Sequence, residues 1–242
     1  MFPLNSTRLA GALFLAMILT TAPRAVLAQS GGEASNVSAV ADSGVFSILS
    51  SQRRIGTEKF KIAPVASGWE DSAEIDVTAP GSPHITETST MKLDANLRPV
   101  SYERQQKLPK KGSIAVGFGS PETKLVAQTE AGAENQIFLL PQDHLVVLDT
   151  NLFHHYSFLV RLYDGAKGGP QHFNVFVPQE ATPGTIGLEL KGKESVTVGK
   201  TARELNHFEA VTDEVKIDLW ASPEGAIYRM AIPQANLEVV RQ

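Results

Sequence analysis

Between Asp149 and Asp164 the apolar positions Leu152, Phe153, Tyr156, Leu159, Val160 and Tyr163 recur at i, i+1, i+4, i+7, i+8 and i+11. This is the spacing that gathers side chains on one stripe of a 3.6-residue helix. Asp149 and Asn151 are favourable N-cap types, and Gly165, Gly168 and Gly169 follow the last apolar position, so start and stop signals agree with the period. A single amphipathic helix is predicted here, and its stripe needs a surface to cover it.

Almost everything else after Gly44 alternates with a period of two, the signature of half-buried strands. Val45–Leu49 and Ile55–Ile62, separated by Gln52, Arg53 and Arg54, predict an opening hairpin. Trp69–Val77, His84–Leu93 and Leu97–Lys107 continue as a threonine-rich meander in which Ile85, Glu87 and Ser89 share one face. Ile114–Phe118, Glu122–Thr129 and Gln136–Leu140 precede the helix. Gln171–Val177, Thr185–Lys191, Glu194–Val198, Leu205–Thr212, Val215–Ala221, Ala226–Ile232 and Leu237–Val240 follow it. Such even spacing argues for antiparallel neighbours. About a dozen strands around one helix predict a mainly β fold: a large curved antiparallel sheet or partly open barrel with one amphipathic helix packed on its concave side.

The N-terminus changes the compartment. Leu9–Thr21 is an uncharged, largely apolar run after Arg8, about 13 residues against the roughly 20 needed to span a bilayer. Val26 and Ala28 place small residues at −3 and −1 of a cleavage site. Residues 1–28 are therefore expected to be a removed signal peptide that leaves no transmembrane anchor, 29–43 a flexible leader and 44–242 a single β-rich domain. The product is expected in the periplasm or outside the cell. There is no cysteine, which excludes a disulfide framework, a lipid-modified cysteine anchor and thiol chemistry. Loss of residues 1–28 removes Arg8 and Arg24 but no acid, so the formal charge moves from −4 to −6. That balance argues against nucleic acid as a partner.

Candidate chemistry is thin. Adjacent imidazoles in a helix diverge by roughly 100°, so His154 and His155 do not chelate as an i, i+4 pair would. They read as structural or surface residues, with a shared site through a distant His84, His144, His172 or His207 as the alternative. Glu70–Asp71 and Glu74–Asp76 offer carboxylates, but glycoside hydrolysis needs two of them about 5–10 Å apart across a cleft; Glu74 and Asp76 share one face, where solvation or an edge that discourages aggregation is the plainer meaning. There is no G-x-S-x-G elbow. Gly117-Phe118-Gly119 is too short for a dinucleotide or P-loop cradle, so Lys107–Gly119 reads as a hairpin with a solvated basic tip. No catalytic residue, cofactor or metal is assigned.

The stretch from Asp149 to Tyr156, together with Lys216–Gly225 and its Leu219-Trp220-x-x-x-x-Gly225 turn, resembles a group of uncharacterised exported bacterial β-sheet proteins. These are loosely similar in architecture to the lipoprotein-localisation carriers, whose half-barrel and covering helix enclose an apolar cavity. The resemblance implies that fold and a small lipophilic ligand. The aromatic groups near the helix, with Val160, then acquire a meaning beyond packing: Phe153, Tyr156, Val160, Tyr163, Phe208 and Trp220 are the candidate ligand-binding residues, with the tyrosine hydroxyls as polar anchors. The expected function is non-enzymatic binding of an apolar or amphipathic ligand, a lipid or acyl chain. The alternatives are an envelope hydrolase acting on glycan or ester, with an open cleft where two acids, or a serine and a histidine, converge, and an envelope scaffold protein that docks a protein partner through a strand edge or apolar patch.

Overall fold

A computed structural model describes residues 40–242; the expected signal peptide and most of the expected leader lie outside them. Fifteen strands form one sheet. The first eight are an antiparallel meander: β1 (Asp42–Ser50), β2 (Arg53–Val65), β3 (Gly68–Val77), β4 (Ile85–Leu93), β5 (Pro99–Leu108), β6 (Gly112–Phe118), β7 (Thr123–Thr129) and β8 (Gly132–Phe138). The short β9 (Leu145–Val147) leads to a 3-10 turn, Phe153–His155, that runs into α1 (Tyr156–Leu162). There follow β10 (Gln171–Val177), a 3-10 turn Pro178–Glu180, β11 (Thr182–Val198), β12 (Thr201–Val211), β13 (Lys216–Ala221), β14 (Ile227–Ile232) and β15 (Leu237–Arg241). The spatial order is β8 to β1, then β15 down to β9. The last strand thus pairs with the first, Phe46 opposite Arg241 and Ile48 opposite Val239, joining two meanders into one surface.

The predicted alternation sets the inward face. Phe60 and Ile62, Ala73, Ile75 and Val77, Ile85, Met91 and Leu93, and Val116 and Leu125 are buried on successive strands, each such side chain contributing about 1.5–3 kcal/mol when it leaves water. Glu74 and Asp76 point outward as expected. Close backbone approach needs a glycine at Gly68, where a Cβ would lie 2.2 Å from the Leu93 carbonyl oxygen and φ is +141°.

Three predicted elements differ. Thr185–Lys191 and Glu194–Val198 are one 17-residue strand, because a bulge beside Gly192 (φ +140°) lets the pairing with β12 continue. β9 is an additional strand and pairs parallel with β10, Val146 beside Val175. The helix begins later than Asp149, whose carboxylate is drawn away by other groups described below. Its burial also goes beyond one stripe: Leu152, Phe153, Leu159 and Val160 are buried, but so are His154, His155, Ser157 and Phe158. The sheet rolls around the helix and covers both its faces.

The roll passes closure. Phe176 of β10 is fully buried yet points away from Phe173 and Val175 on the same strand, and it meets Phe118 of β6 at 6.2 Å and Phe138 of β8 at 5.0 Å between ring centroids. The β9–β10 end of the sheet therefore lies inside the β6–β8 end, and the two edges overlap instead of pairing. No helix among the described residues is long and apolar enough to cross a membrane.

Candidate functional site

At the rim formed by the end of β1, the start of β2 and the ends of β3, β9, β10 and β14, a cavity of about 380 Å³ opens between sheet and helix. Its wall is mostly aliphatic and aromatic, including Ile48, Ile55, Val77, Leu152, Phe153 and Tyr156, with Ser50, Thr150, Asn151 and Glu180 among the polar groups. Size and lining are those of a small-molecule site. Beside it lies a second cavity of about 480 Å³, lined by Gln106, Lys110, Lys111, Ser113, Gln128 and Glu130, with Arg104 and Gln179 between them.

The wall separating the two is a buried polar network. Asp149, which lines the first cavity, accepts hydrogen bonds from the Tyr102 hydroxyl and from Arg104 Nη1 at 3.0 Å through Oδ2. Its Oδ1 accepts from the Thr150 and Gln179 backbone N–H groups at 3.0 and 2.9 Å. Arg104 also donates to Gln179 Oε1 at 2.7 Å and forms an ion pair with Glu87. Burial raises the Glu87 pKa, opposed by the Arg104 charge, and burial together with the Asp149 charge holds the Tyr102 hydroxyl protonated well beyond its ordinary range. Glu87, Arg104 and Asp149 are all buried, and each is hydrogen-bonded within the network.

Deeper in, His154 of the 3-10 turn is held by two strands. Its Nδ1 meets Glu58 of β2 and its Nε2 lies 2.8 Å from both carboxylate oxygens of Asp71 of β3. Glu58 also accepts the Phe153 backbone N–H at 3.0 Å, satisfying a donor at the start of the helical segment. Phe60 stacks on the imidazole at 5.0 Å. Burial alone would lower the His154 pKa, but Asp71 and Glu58 raise it to about 10. Burial would raise that of Asp71, and the opposing His154 charge brings it to about 2. The ring is thus an imidazolium between two carboxylates. His155 Nε2 lies 3.3 Å from Asp71 Oδ2 without a well-directed hydrogen bond, while its Nδ1 accepts the Asp149 N–H at 3.5 Å. Burial lowers its pKa, keeping it neutral with the proton on Nε2.

The adjacent histidines do converge, contrary to the reading of divergent helical faces, because the meeting point is a third group, Asp71, that neither helical period nor sequence distance reveals. The donor atoms of Asp71, His154 and His155 lie within 4.8 Å of one another. Both nitrogens of His154 already face carboxylates, and an N–H donor faces Nδ1 of His155, where a ring ligating through Nε2 would carry its own proton. The set fits a proton-holding hub better than a metal centre. Glu58 and Asp71 are also convergent acids, but both are fully enclosed, whereas glycan hydrolysis requires them across an open cleft.

Of the six residues singled out by sequence, Phe153 and Tyr156 line the first cavity. Val160 and Phe208 are buried in the main core. Tyr163 packs edge-on against Phe208 at 5.3 Å and donates its hydroxyl to the Gly169 carbonyl at 2.8 Å. Trp220 sits in a separate cluster with Val196 and Leu205; it stacks on His207 at 4.9 Å and donates to Glu194 at 2.7 Å. Those four line neither cavity described here. Sequence reasoning missed Glu58, Asp149, Tyr102 and Arg104, although one signal was present: Glu58 alternates with Phe60 and Ile62, as Glu87 does with Ile85, which places carboxylates on the inward face.

No family model matches the chain, and no curated protein matches it. Among solved structures, the chain is similar to a β-barrel-like protein of domain of unknown function DUF1849 from Brucella abortus, with 8% sequence identity and a TM-score of 0.57 over 83% of this chain and 94% of that one. At that identity the likeness is one of fold: this chain is a large, open, curved sheet of the β-barrel-like kind.

Proposed function

We propose that the protein is an exported, non-enzymatic binding protein that holds an apolar or amphipathic ligand, a lipid or acyl chain, between its helix and the concave sheet. The observation that carries this reading is the cavity of about 380 Å³ whose apolar wall is contributed by strands on one side and by Leu152, Phe153 and Tyr156 on the other. Side chains fixed on rigid elements form a site that needs little rearrangement to accept an apolar group. The loose resemblance to lipoprotein-localisation carriers read from the sequence points the same way, as does the N-terminal run with its small-residue cleavage site.

The test is native mass spectrometry of the mature protein purified gently from its own envelope, with lipid analysis of whatever leaves on denaturation. A stoichiometric lipophilic species is expected, and Ile55→Trp, which fills the cavity, is expected to lose it while remaining folded. A clean apo mass for the unsubstituted protein overturns the reading.

A second reading, an envelope interaction protein, rests on the outer face near the β8 edge. Val100, Val126, Ile137 and Leu139 are 50%, 40%, 62% and 77% exposed there, and among the described residues β8 pairs only with β7, which leaves an edge of the kind that accepts another strand. Photo-crosslinking from position 137 in the native envelope tests it: a single specific adduct supports this reading, and none removes it.

A further inference from the structure

We propose that the lysine-rimmed cavity of about 480 Å³ receives the anionic head, a phosphate or carboxylate, of the same ligand whose apolar part occupies the first cavity. This rests on the binding reading above and specifies the ligand as an anionic amphiphile.

The two cavities are side by side at one rim of the sheet, and the divider is a single turn of backbone. Gln179 lines the polar cavity and the next residue, Glu180, lines the apolar one; consecutive Cα atoms are only about 3.8 Å apart. The turn is pinned from beneath by Asp149, which accepts the Gln179 N–H at 2.9 Å and the Arg104 Nη1 donor at 3.0 Å. A molecule lying over Pro178–Glu180 therefore has one end in a largely apolar cavity and the other in a mixed cavity that carries two lysines, without crossing the core.

Charge sorts the ends. Arg104 at the wall is ion-paired with both Asp149 and Glu87, so the remaining charges lining the second cavity are Lys110 and Lys111 against Glu130. That is a local positive excess in a chain of formal charge −4. Neither lysine is ion-paired with a carboxylate among the described residues, and both are exposed. Gln106, Ser113 and Gln128 add amide and hydroxyl groups that bind an oxyanion together with ammonium donors. The basic tip of the β5–β6 hairpin, read from sequence as merely solvated, thus gains a role from the cavity that it closes.

The test compares three probes on the mature protein: dodecyl phosphate, 1-dodecanol and inorganic phosphate. Dodecyl phosphate is expected to bind at least tenfold tighter than dodecanol, with the advantage shrinking as salt is raised. K110Q/K111Q, at two exposed positions, is expected to abolish that advantage and leave dodecanol affinity unchanged. E130Q is expected to increase it, and Ile55→Trp to weaken both amphiphiles. Equal affinity for dodecyl phosphate and dodecanol overturns the inference and leaves the apolar-cavity reading standing. Inorganic phosphate binding as tightly as dodecyl phosphate, and indifferent to Ile55→Trp, also overturns it, making the lysines an independent phosphate site. Failure of both amphiphiles to bind overturns the inference and the reading on which it rests.

Discussion

His154 Nε2 lies 2.8 Å from both carboxylate oxygens of Asp71, a residue 83 positions earlier in the chain. This contact ties the helical segment to β3, and with Glu58 on the other ring nitrogen it clamps the helix between two neighbouring strands. An imidazolium sealed from water is tolerable only while its carboxylates remain. Asp71→Asn is therefore expected to destabilise the fold by about 3–5 kcal/mol, read as a lower urea midpoint at neutral pH with an unchanged denaturant slope. A loss below about 1 kcal/mol would mean that the ring is neutral and the pair dispensable.

Stability is expected to be greatest near pH 6.5. His154 keeps its proton in the fold up to about pH 10 against an ordinary 6.5, so its contribution is complete below pH 6.5 and is lost as the pH rises through 10. Asp71 stays ionised down to about pH 2 against an ordinary 3.8; its contribution is complete above 3.8 and is lost as the pH falls through 2. His155 adds to the acid limb, because burial keeps it neutral in the fold while the unfolded chain takes up a proton below pH 6.5. Glu87, whose pKa burial raises, acts in the opposite sense at acid pH and offsets part of the loss. On the alkaline side the slope is bounded by one proton, about 1.4 kcal/mol per pH unit. Urea midpoints from pH 6.5 to 9.5 measure it, and a flat profile there would contradict a buried imidazolium.

The wall between the cavities should be unequally sensitive at its two donors. Tyr102→Phe removes one hydrogen bond to a carboxylate that retains three other donors, and a loss of about 1–3 kcal/mol is expected. Arg104→Met leaves Glu87 and Asp149 enclosed without their shared cation, and the expected loss is about 3–5 kcal/mol. Chemical denaturation of both variants decides the ranking; the reverse order would show that Arg104 is not the group holding this wall together.

Helix and cavity positions should separate cleanly. Val160 is 7% exposed and belongs to the main core, so Val160→Asp buries an unpaired charge and is expected to abolish cooperative folding. Ile55→Trp enters empty space instead and is expected to preserve the far-ultraviolet circular dichroism spectrum and the thermal midpoint to within a few degrees. A folded Val160→Asp protein would place that side chain in a solvated pocket.

Local chemistry determined much of this protein. Period-two alternation specified which residues of β2 to β4 point inward, even for Glu87 beside Ile85, but it did not decide β10 or β13, where Phe176 and Trp220 are buried on the other face. The 3.6-residue stripe specified that Leu152, Phe153, Leu159 and Val160 face a core. These follow from the geometry of one strand or one helix and need no knowledge of neighbours. What the tertiary structure alone decided is where distant inward charges meet. Alternation points Glu58, Asp71, Glu87 and Arg104 into the barrel, but pairing across 17 to 96 positions depends on how far the sheet rolls. That roll comes from accumulated twist and bulges over fifteen strands, and a small change in either moves one rim past the other. The same roll buries His154, which its own helix places on the polar face, and sets a lysine-lined cavity one backbone turn from an apolar one.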